Sequence, residues 1–146
     1  PFEFGLIKNR YVGRTFIQPT QALRNLSVKI KLNPVNPVLA DKRVILIDDS
    51  VVRGTTSAKT VRLLREAGAK EVHLCVASPP YIKPCFYGID TPSEEQLLAA
   101  NYSLPEIQSH IGADSIHFLS LAGLHTAVGS GAEKMCGACF TGQYPL

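Results

Sequence analysis

The stretch VILIDDSVVRGTTS, residues 44–57, reads as a strand, a polar turn and the start of a helix. Val44, Ile45, Leu46 and Ile47 form an unbroken β-branched and aliphatic run, the pattern of a strand buried on both faces in a parallel sheet. Asp48 and Asp49 stand where that strand ends, and in open α/β sheets ligands sit outside the carboxyl ends of the strands. Adjacent acids at such a rim suit a vicinal diol and a hard cation such as Mg2+, which takes oxygen ligands. Gly54 admits the positive φ that costs other residues about 1–2 kcal/mol. A turn of that kind aims successive backbone N–H groups inward as an anion nest. Ser50, Thr55, Thr56 and Ser57 add hydroxyl donors and Arg53 a cation; the helix that follows adds its positive end. A strand, a polar turn and a helix cap are common in α/β proteins. Four apolar residues, then DDS, then RGTTS, then an amphipathic helix is a far narrower pattern, and it points to a phosphate cradle.

Outward from this stretch, strand and helix signals alternate. Over residues 56–67, Ala58, Val61, Leu64 and Ala67 share one face with Leu63 at its margin, while Lys59, Arg62, Arg65 and Glu66 point away. Gly68 is the expected stop. Residues 72–77 form the next strand, in which Cys75 reads as a small buried apolar residue, and the strand–helix–strand unit should be a right-handed crossover. TPSE at 91–94 and SLPE at 103–106 each offer a cap, a proline and a glutamate for a capping box. Residues 115–119 read as a short strand, and Ser120 as the cap of a helix running to Val128. Upstream, Val28, Ile30 and Leu32 alternate with Lys29 and Lys31, a half-buried strand near an edge, broken by NPVNP at 33–37. The fold class is α/β, a parallel sheet flanked by helices, ending in an irregular cysteine-containing tail over 135–146 that needs something to tie it down.

The 146 residues are 45% apolar and 18% charged, with a net charge of +3. That suits one compact domain with a real core and excludes a disordered chain. The charge is too small to argue for a nucleic-acid surface but agrees with a polyphosphate ligand. No apolar stretch approaches the roughly 18 residues of a membrane span, and no signal-peptide pattern is visible. Four cysteines are present, Cys75, Cys85, Cys136 and Cys139, two of them as CGAC. That spacing favours metal or redox chemistry over structural disulfides.

Residues 44–57 resemble the phosphoribosyl pyrophosphate (PRPP) signature of type I phosphoribosyltransferases. KNRYVGRTFIQP at 8–19 is similar to the mobile loop of the glutamine PRPP amidotransferase family, and FYGID at 86–90 and FTGQYP at 140–145 also resemble that family. The likeness covers nearly the whole chain; only about 101–134 is generic. It implies the C-terminal part of a phosphoribosyltransferase domain over 1–146, with the glutaminase domain and its N-terminal cysteine nucleophile absent from this chain. It implies formation of 5-phosphoribosylamine, pyrophosphate and glutamate from PRPP, glutamine and water, the committed step of purine synthesis. Asp48 and Asp49 would hold the ribose hydroxyls and Mg2+, and residues 50–57 the 5-phosphate. Lys8, Arg10, Tyr11 and Arg14 would belong to a lid that meets the leaving pyrophosphate; by composition alone they read as a solvated basic turn.

The same resemblance bears on the cysteines. PCFYG at 84–88 and CGACFTG at 136–142 are similar to the branch of the family that carries a structural [4Fe–4S] cluster. That implies three ligands, Cys85, Cys136 and Cys139, and a fourth outside this chain, since such clusters take four thiolates. Zinc is the competing occupant, and a redox dithiol a third reading. The expected partners are PRPP, ammonia from a glutaminase domain and purine nucleotides as feedback inhibitors, in a homo-oligomer, with no nucleic acid and no membrane. The default compartment is the cytoplasm; a plastid form would need a transit segment. The chain alone is not expected to catalyse the full reaction. Two other functions share the cradle. A PRPP-sensing regulator would need neither the lid nor the cysteines and would carry a basic recognition helix, which is not evident. A salvage phosphoribosyltransferase would leave Cys136 and Cys139 unexplained.

Overall fold

The computed structural model describes residues 2–9, 32–91 and 93–145. Its centre is a parallel sheet of three strands in the order β3–β4–β5, where β3 is Arg43–Asp48, β4 Glu71–Val76 and β5 Ser115–Phe118. Val44 lies opposite Val72 and Asp48 opposite Val76; Leu74 then pairs Ile116. Helix α2 (Thr55–Glu66) links β3 to β4. A 3-10 turn (Glu94–Gln96), the short α3 (Leu98–Asn101) and α4 (Leu104–Ile111) lie between β4 and β5. Helices α2 and α4 pack together, so both crossovers put their helices on the same side of the sheet, as crossovers of one hand must when the strand order runs in one direction.

That side holds the core. Val61 and Leu64 of α2 meet Val72, Leu74 and Val76 of β4, Ile107 and Ile111 of α4, and Ile116. Burying each such side chain stabilises the fold by about 1.5–3 kcal/mol. The helical spacing read over 56–67 is therefore correct, shifted by one residue. Ser103 and Glu106 form the expected capping box, with the Ser103 amide and hydroxyl both donating to Glu106 Oε2, at 2.7 and 2.6 Å. Ser120 caps α5 (Leu121–Val128) by accepting from the Gly123 amide at 3.0 Å.

Several readings need correction. β3 is not buried on both faces: Ile45 and Ile47 are 67% and 73% exposed. Cys75 on β4 points to the same open side and is only half-buried. The apolar run predicts a two-sided strand, but both helices of the unit lie on the other side. Thr91 does not open a helix. Its hydroxyl accepts the Cys85 amide at 2.5 Å, and the turn that follows starts after Ser93. The break expected at NPVNP comes late. β2 runs Leu32–Pro34, paired antiparallel with β1 (Leu6–Lys8), and the one-turn α1 (Asn36–Leu39) begins with Pro37 in its first turn. Pro34 is tolerated because it ends the strand. Residues 27–31 of the expected upstream strand lie outside the described residues.

The tail is not irregular throughout. It forms α6 (Ala138–Thr141), and it is tied by protein contacts. The amides of Ile82 and Lys83 donate to the Cys139 carbonyl at 2.9 and 3.1 Å. The Tyr144 hydroxyl donates to the Pro84 carbonyl at 2.7 Å and that of Tyr87 to the Pro145 carbonyl at 2.5 Å. Tyr81 meets Phe140 edge-on at 4.9 Å, and Phe86 lies 5.0 Å from Tyr144.

Candidate functional site

β3 delivers Asp48 and Asp49 to the carboxyl end of the sheet, beside the end of β4, where the Ala77 amide donates to the Asp48 carbonyl at 2.9 Å. The two acids do different jobs. Asp48 is half-buried, and both its oxygens are used locally. Oδ1 accepts the Asp49 amide at 3.1 Å, and Oδ2 accepts the Ser57 hydroxyl at 3.2 Å. Burial pushes its carboxyl above the ordinary 3.8; the Asp49 amide and Ser57 hydroxyl pull it back, and the Asp49 charge pushes it up again. Asp48 thus pins the first turn of α2 to the end of β3. Asp49 is exposed, and among the described residues its side chain accepts one hydrogen bond, from Ser50 Oγ at 3.2 Å.

The loop between them and α2 is built as a donor cradle. Gly54 has φ +72° and caps α2 in the left-handed conformation. Among the described residues no backbone N–H from 50 to 57 donates to a main-chain carbonyl. These amides, with the positive end of α2, form the kind of concavity that binds a phosphate. The loop is braced from behind. The Leu98 amide donates to the Val52 carbonyl at 2.9 Å, and a Cβ on Gly54 would stand 2.6 Å from Leu98 Cδ2. Arg53 Nε donates to Gln96 Oε1 at 3.0 Å, which turns its cation toward the brace. Of the four hydroxyls, Ser50 and Ser57 are committed to the two acids; Thr55 and Thr56 stand exposed at the helix start.

Lys8 is exposed in β1, opposite Leu32, and so belongs to a strand and not to a loop. Arg10, Tyr11 and Arg14 lie outside the described residues. Cys85, Cys136 and Cys139 are free thiols in one neighbourhood. Burial raises the Cys139 thiol, and the charges of Cys85 and Cys136 raise it further. Even so, among the described residues no three of His, Cys, Asp or Glu are gathered closely enough to hold a metal ion. Three thiols are the kind of donor a thiophilic centre takes, but among the described residues they are not gathered around one.

Two residues at this site gave no signal in the sequence. Tyr81 sits between the cradle and the cysteines. Burial raises its hydroxyl, and the charges of Cys139, Asp49 and Cys85 add to the shift. Ser78, at the end of β4, buries an Oγ that has no hydrogen-bond partner. Nothing in a single Tyr or Ser outside a motif marks it in advance.

The profile of the phosphoribosyl transferase domain matches residues 5–84, a span that contains β1 to β4 and the whole cradle. The chain belongs to the phosphoribosyltransferase domain family. Among curated relatives it is similar to amidophosphoribosyltransferase 1, chloroplastic, of Arabidopsis thaliana, 56% identical over all of this chain and 26% of that protein. It is equally similar to the amidophosphoribosyltransferase of Bacillus subtilis, 56% identical over 99% of this chain and 31% of the relative. The solved structure of glutamine PRPP amidotransferase from B. subtilis, complexed with ADP and GMP, superposes with a TM-score of 0.84 over 99% of this chain and 33% of that one. The chain therefore spans about a third or less of the relatives it matches. No helix among the described residues is long and apolar enough to cross a membrane.

Proposed function

We propose that this chain is the PRPP-binding part of an amidophosphoribosyltransferase. The observation that carries the reading is the cradle: a left-handed Gly54, unengaged amides over 50–57 and the exposed carboxylate of Asp49 converge at the end of β3. In the proposed mechanism the amides and the Thr55 and Thr56 hydroxyls hold the 5-phosphate. Asp49 orients the ribose diol, while Asp48 holds the loop in register. Carboxylate oxygens suit Mg2+, and Asp49, with Asp48 behind it, would hold it; bound there, the cation neutralises charge on the departing pyrophosphate. Ammonia attacks C1 of the ribose, the C–N bond forms as the C1–O bond to pyrophosphate breaks, and the nitrogen loses a proton to solvent. Fixing the phosphate and the diol lowers the barrier chiefly by positioning.

A lid with Arg10, Tyr11 and Arg14, entered from Lys8 at the end of β1, and the tail over 135–146 complete the proposal, as do glutamine-derived ammonia and feedback by purine nucleotides in a homo-oligomer. The nucleotide-bound relative supports the feedback reading. Cys85, Cys136 and Cys139 would hold a [4Fe–4S] cluster with a fourth thiolate from elsewhere; bound there, the cluster supplies a structural crosslink. The compartment follows the relatives, which include chloroplastic and bacterial proteins. Similarity along the full chain favours this reading over a PRPP sensor or a salvage enzyme.

The test measures pyrophosphate release from PRPP and ammonia by the protein that carries this chain, beside direct PRPP binding with Mg2+. Asp49→Asn and the Thr55→Val/Thr56→Val pair should each weaken PRPP binding at least 10-fold. Unchanged affinity in both would overturn the assignment of the cradle. Residues 1–146 alone should show no glutamine-dependent turnover. Iron and sulfide content decides between cluster and zinc.

A further inference from the structure

We propose that the turn Glu94–Gln96 couples the docked tail to the phosphate cradle, which makes Lys83, Glu94 and Gln96 positioning residues for the 5-phosphate. The inference rests on the reading of residues 50–57 as the PRPP cradle.

The turn reaches the cradle at two neighbouring points. Gln96 Oε1 accepts Arg53 Nε at 3.0 Å. Just beyond the turn, the Leu98 amide donates to the Val52 carbonyl at 2.9 Å. Residues 52 and 53 lead directly into Gly54, whose φ of +72° sets the course of the loop into α2, and Leu98 Cδ2 fills the space beside that glycine. Among the described residues the amides over 50–57 donate to no main-chain carbonyl, so the loop has little of its own to hold it. Its approach is set from the turn.

The other end of the same turn holds the tail. Glu94 accepts Lys83 Nζ on both carboxylate oxygens, at 2.8 Å each. The Lys83 amide donates to the Cys139 carbonyl at 3.1 Å, and the Lys83 stem lies against Gly142, with Cγ 3.5 Å from where a Cβ would stand. Lys83 thus grips the tail with its main chain and stem, and the turn with its ammonium. Between these two ends the turn is stiff. Asn101 Nδ2 donates to the Glu94 and Leu97 carbonyls, both at 2.8 Å, and the Leu97 amide returns to the Glu94 carbonyl at 3.0 Å.

Magnitude separates a coupling from a stability device. The Lys83 and Glu94 side chains are 39% and 48% exposed, and an ion pair that open contributes little to stability. What the two-point contact supplies is order. A coupling between sites is reciprocal: a docked tail steadies the cradle, and an occupied cradle steadies the tail.

The experiment uses the longer protein that carries this chain and two probes. Ribose 5-phosphate reaches the cradle; pyrophosphate with Mg2+ does not. Glu94→Gln and Gln96→Leu should each weaken ribose 5-phosphate binding by about 5-fold, the low end of typical couplings, and leave pyrophosphate binding in place. The charge swap Lys83→Glu/Glu94→Lys should restore the loss of Glu94→Gln. Tyr144→Phe, which frees the tail from Pro84, should also weaken ribose 5-phosphate binding, yet add nothing in the Glu94→Gln background. In return, saturating ribose 5-phosphate should slow hydrogen exchange over residues 140–145 in the wild type and not in Glu94→Gln. Unchanged affinity in both Glu94→Gln and Gln96→Leu, an equal loss for pyrophosphate, or additive losses from Tyr144→Phe and Glu94→Gln overturns the proposal.

Hydrogen exchange over residues 50–57 separates this inference from the cradle reading. Wild-type protein that binds ribose 5-phosphate no better than Thr55→Val/Thr56→Val sinks the cradle. The coupling then stands if Tyr144→Phe and Glu94→Gln each quicken that exchange and the pair quickens it no further. Exchange unchanged in both single variants sinks the coupling.

Discussion

Replacing Gly54 with alanine separates the two reasons a glycine stands there. The first is conformational. At φ +72° an L-residue pays about 1–2 kcal/mol. The second is space. The new Cβ would fall 2.6 Å from Leu98 Cδ2, itself 4% exposed and held by its amide to Val52. Overpacking of that kind costs about 1–3 kcal/mol, so Gly54→Ala should destabilise the protein by about 2–5 kcal/mol in urea titration. Leu98→Ala alone should cost about 2–5 kcal/mol through the cavity it leaves. In the double variant the clash is gone, so the two costs should fall short of additive by about 1–3 kcal/mol. The strain at residue 54 remains. PRPP affinity should follow the strain and not the clash. Tilting the cradle amides loses hydrogen bonds to a charged group worth about 1.5–3 kcal/mol, a weakening of roughly 10- to 150-fold, and Leu98→Ala should not restore it. Full recovery of binding in the double variant would show that room behind the loop, and not left-handed backbone, is what the glycine provides.

The two acids should part company. Asp49→Asn is expected to weaken PRPP binding in Mg2+ while leaving the urea midpoint in place, whereas Asp48→Asn should disturb stability and its pH dependence. The Asp48 carboxyl is raised above its ordinary 3.8, so its contribution is complete below that value and is lost as pH rises through the folded value; urea midpoints from pH 3 upward should lose that slope in Asp48→Asn. Asp114 has the opposite sign. The Val72 amide and, behind it, Arg65 hold it below 3.8, with both bonds at 2.6 Å. Its contribution is present above 3.8 and disappears as pH falls through the depressed value. Asp114→Ala should cost about 1 kcal/mol at neutral pH, allowing for solvent screening, and less in acid. Finally, the tail should stay docked when metal is stripped with a chelator, because its ties are carbonyls and rings. Hydrogen exchange over residues 140–145 should stay slow on chelation and quicken in Tyr144→Phe; fast exchange on chelation alone would contradict these ties.

What was legible in the sequence was whatever is settled over a few adjacent residues. The positive φ of Gly54, the Ser103–Glu106 box, the cap at Ser120 and the amphipathic stripe of α2 each follow from side chains within a turn or two. The division of labour between Asp48 and Asp49 was not legible, because it depends on which carboxylate faces Ser57 across nine residues of folded loop. Thr91 carries a helix-start signal, but its hydroxyl is taken by the amide of Cys85, six residues back. The ties of the tail join residues about sixty positions apart, such as Pro84 and Tyr144, and only the folded chain brings them together. The reading of β3 failed for a related reason. A run such as VILI says that a strand is apolar, not which of its sides this chain supplies with a cover.

That one-sided cover has a practical consequence for residues 1–146 handled alone. Ile45 and Ile47 stand side by side on an open strip of sheet, next to Cys75. A greasy ridge on a flat backbone wets poorly, so purified material should be adhesive: prone to pair face to face, to bind hydrophobic dyes and to stay dispersed only with detergent or at low concentration.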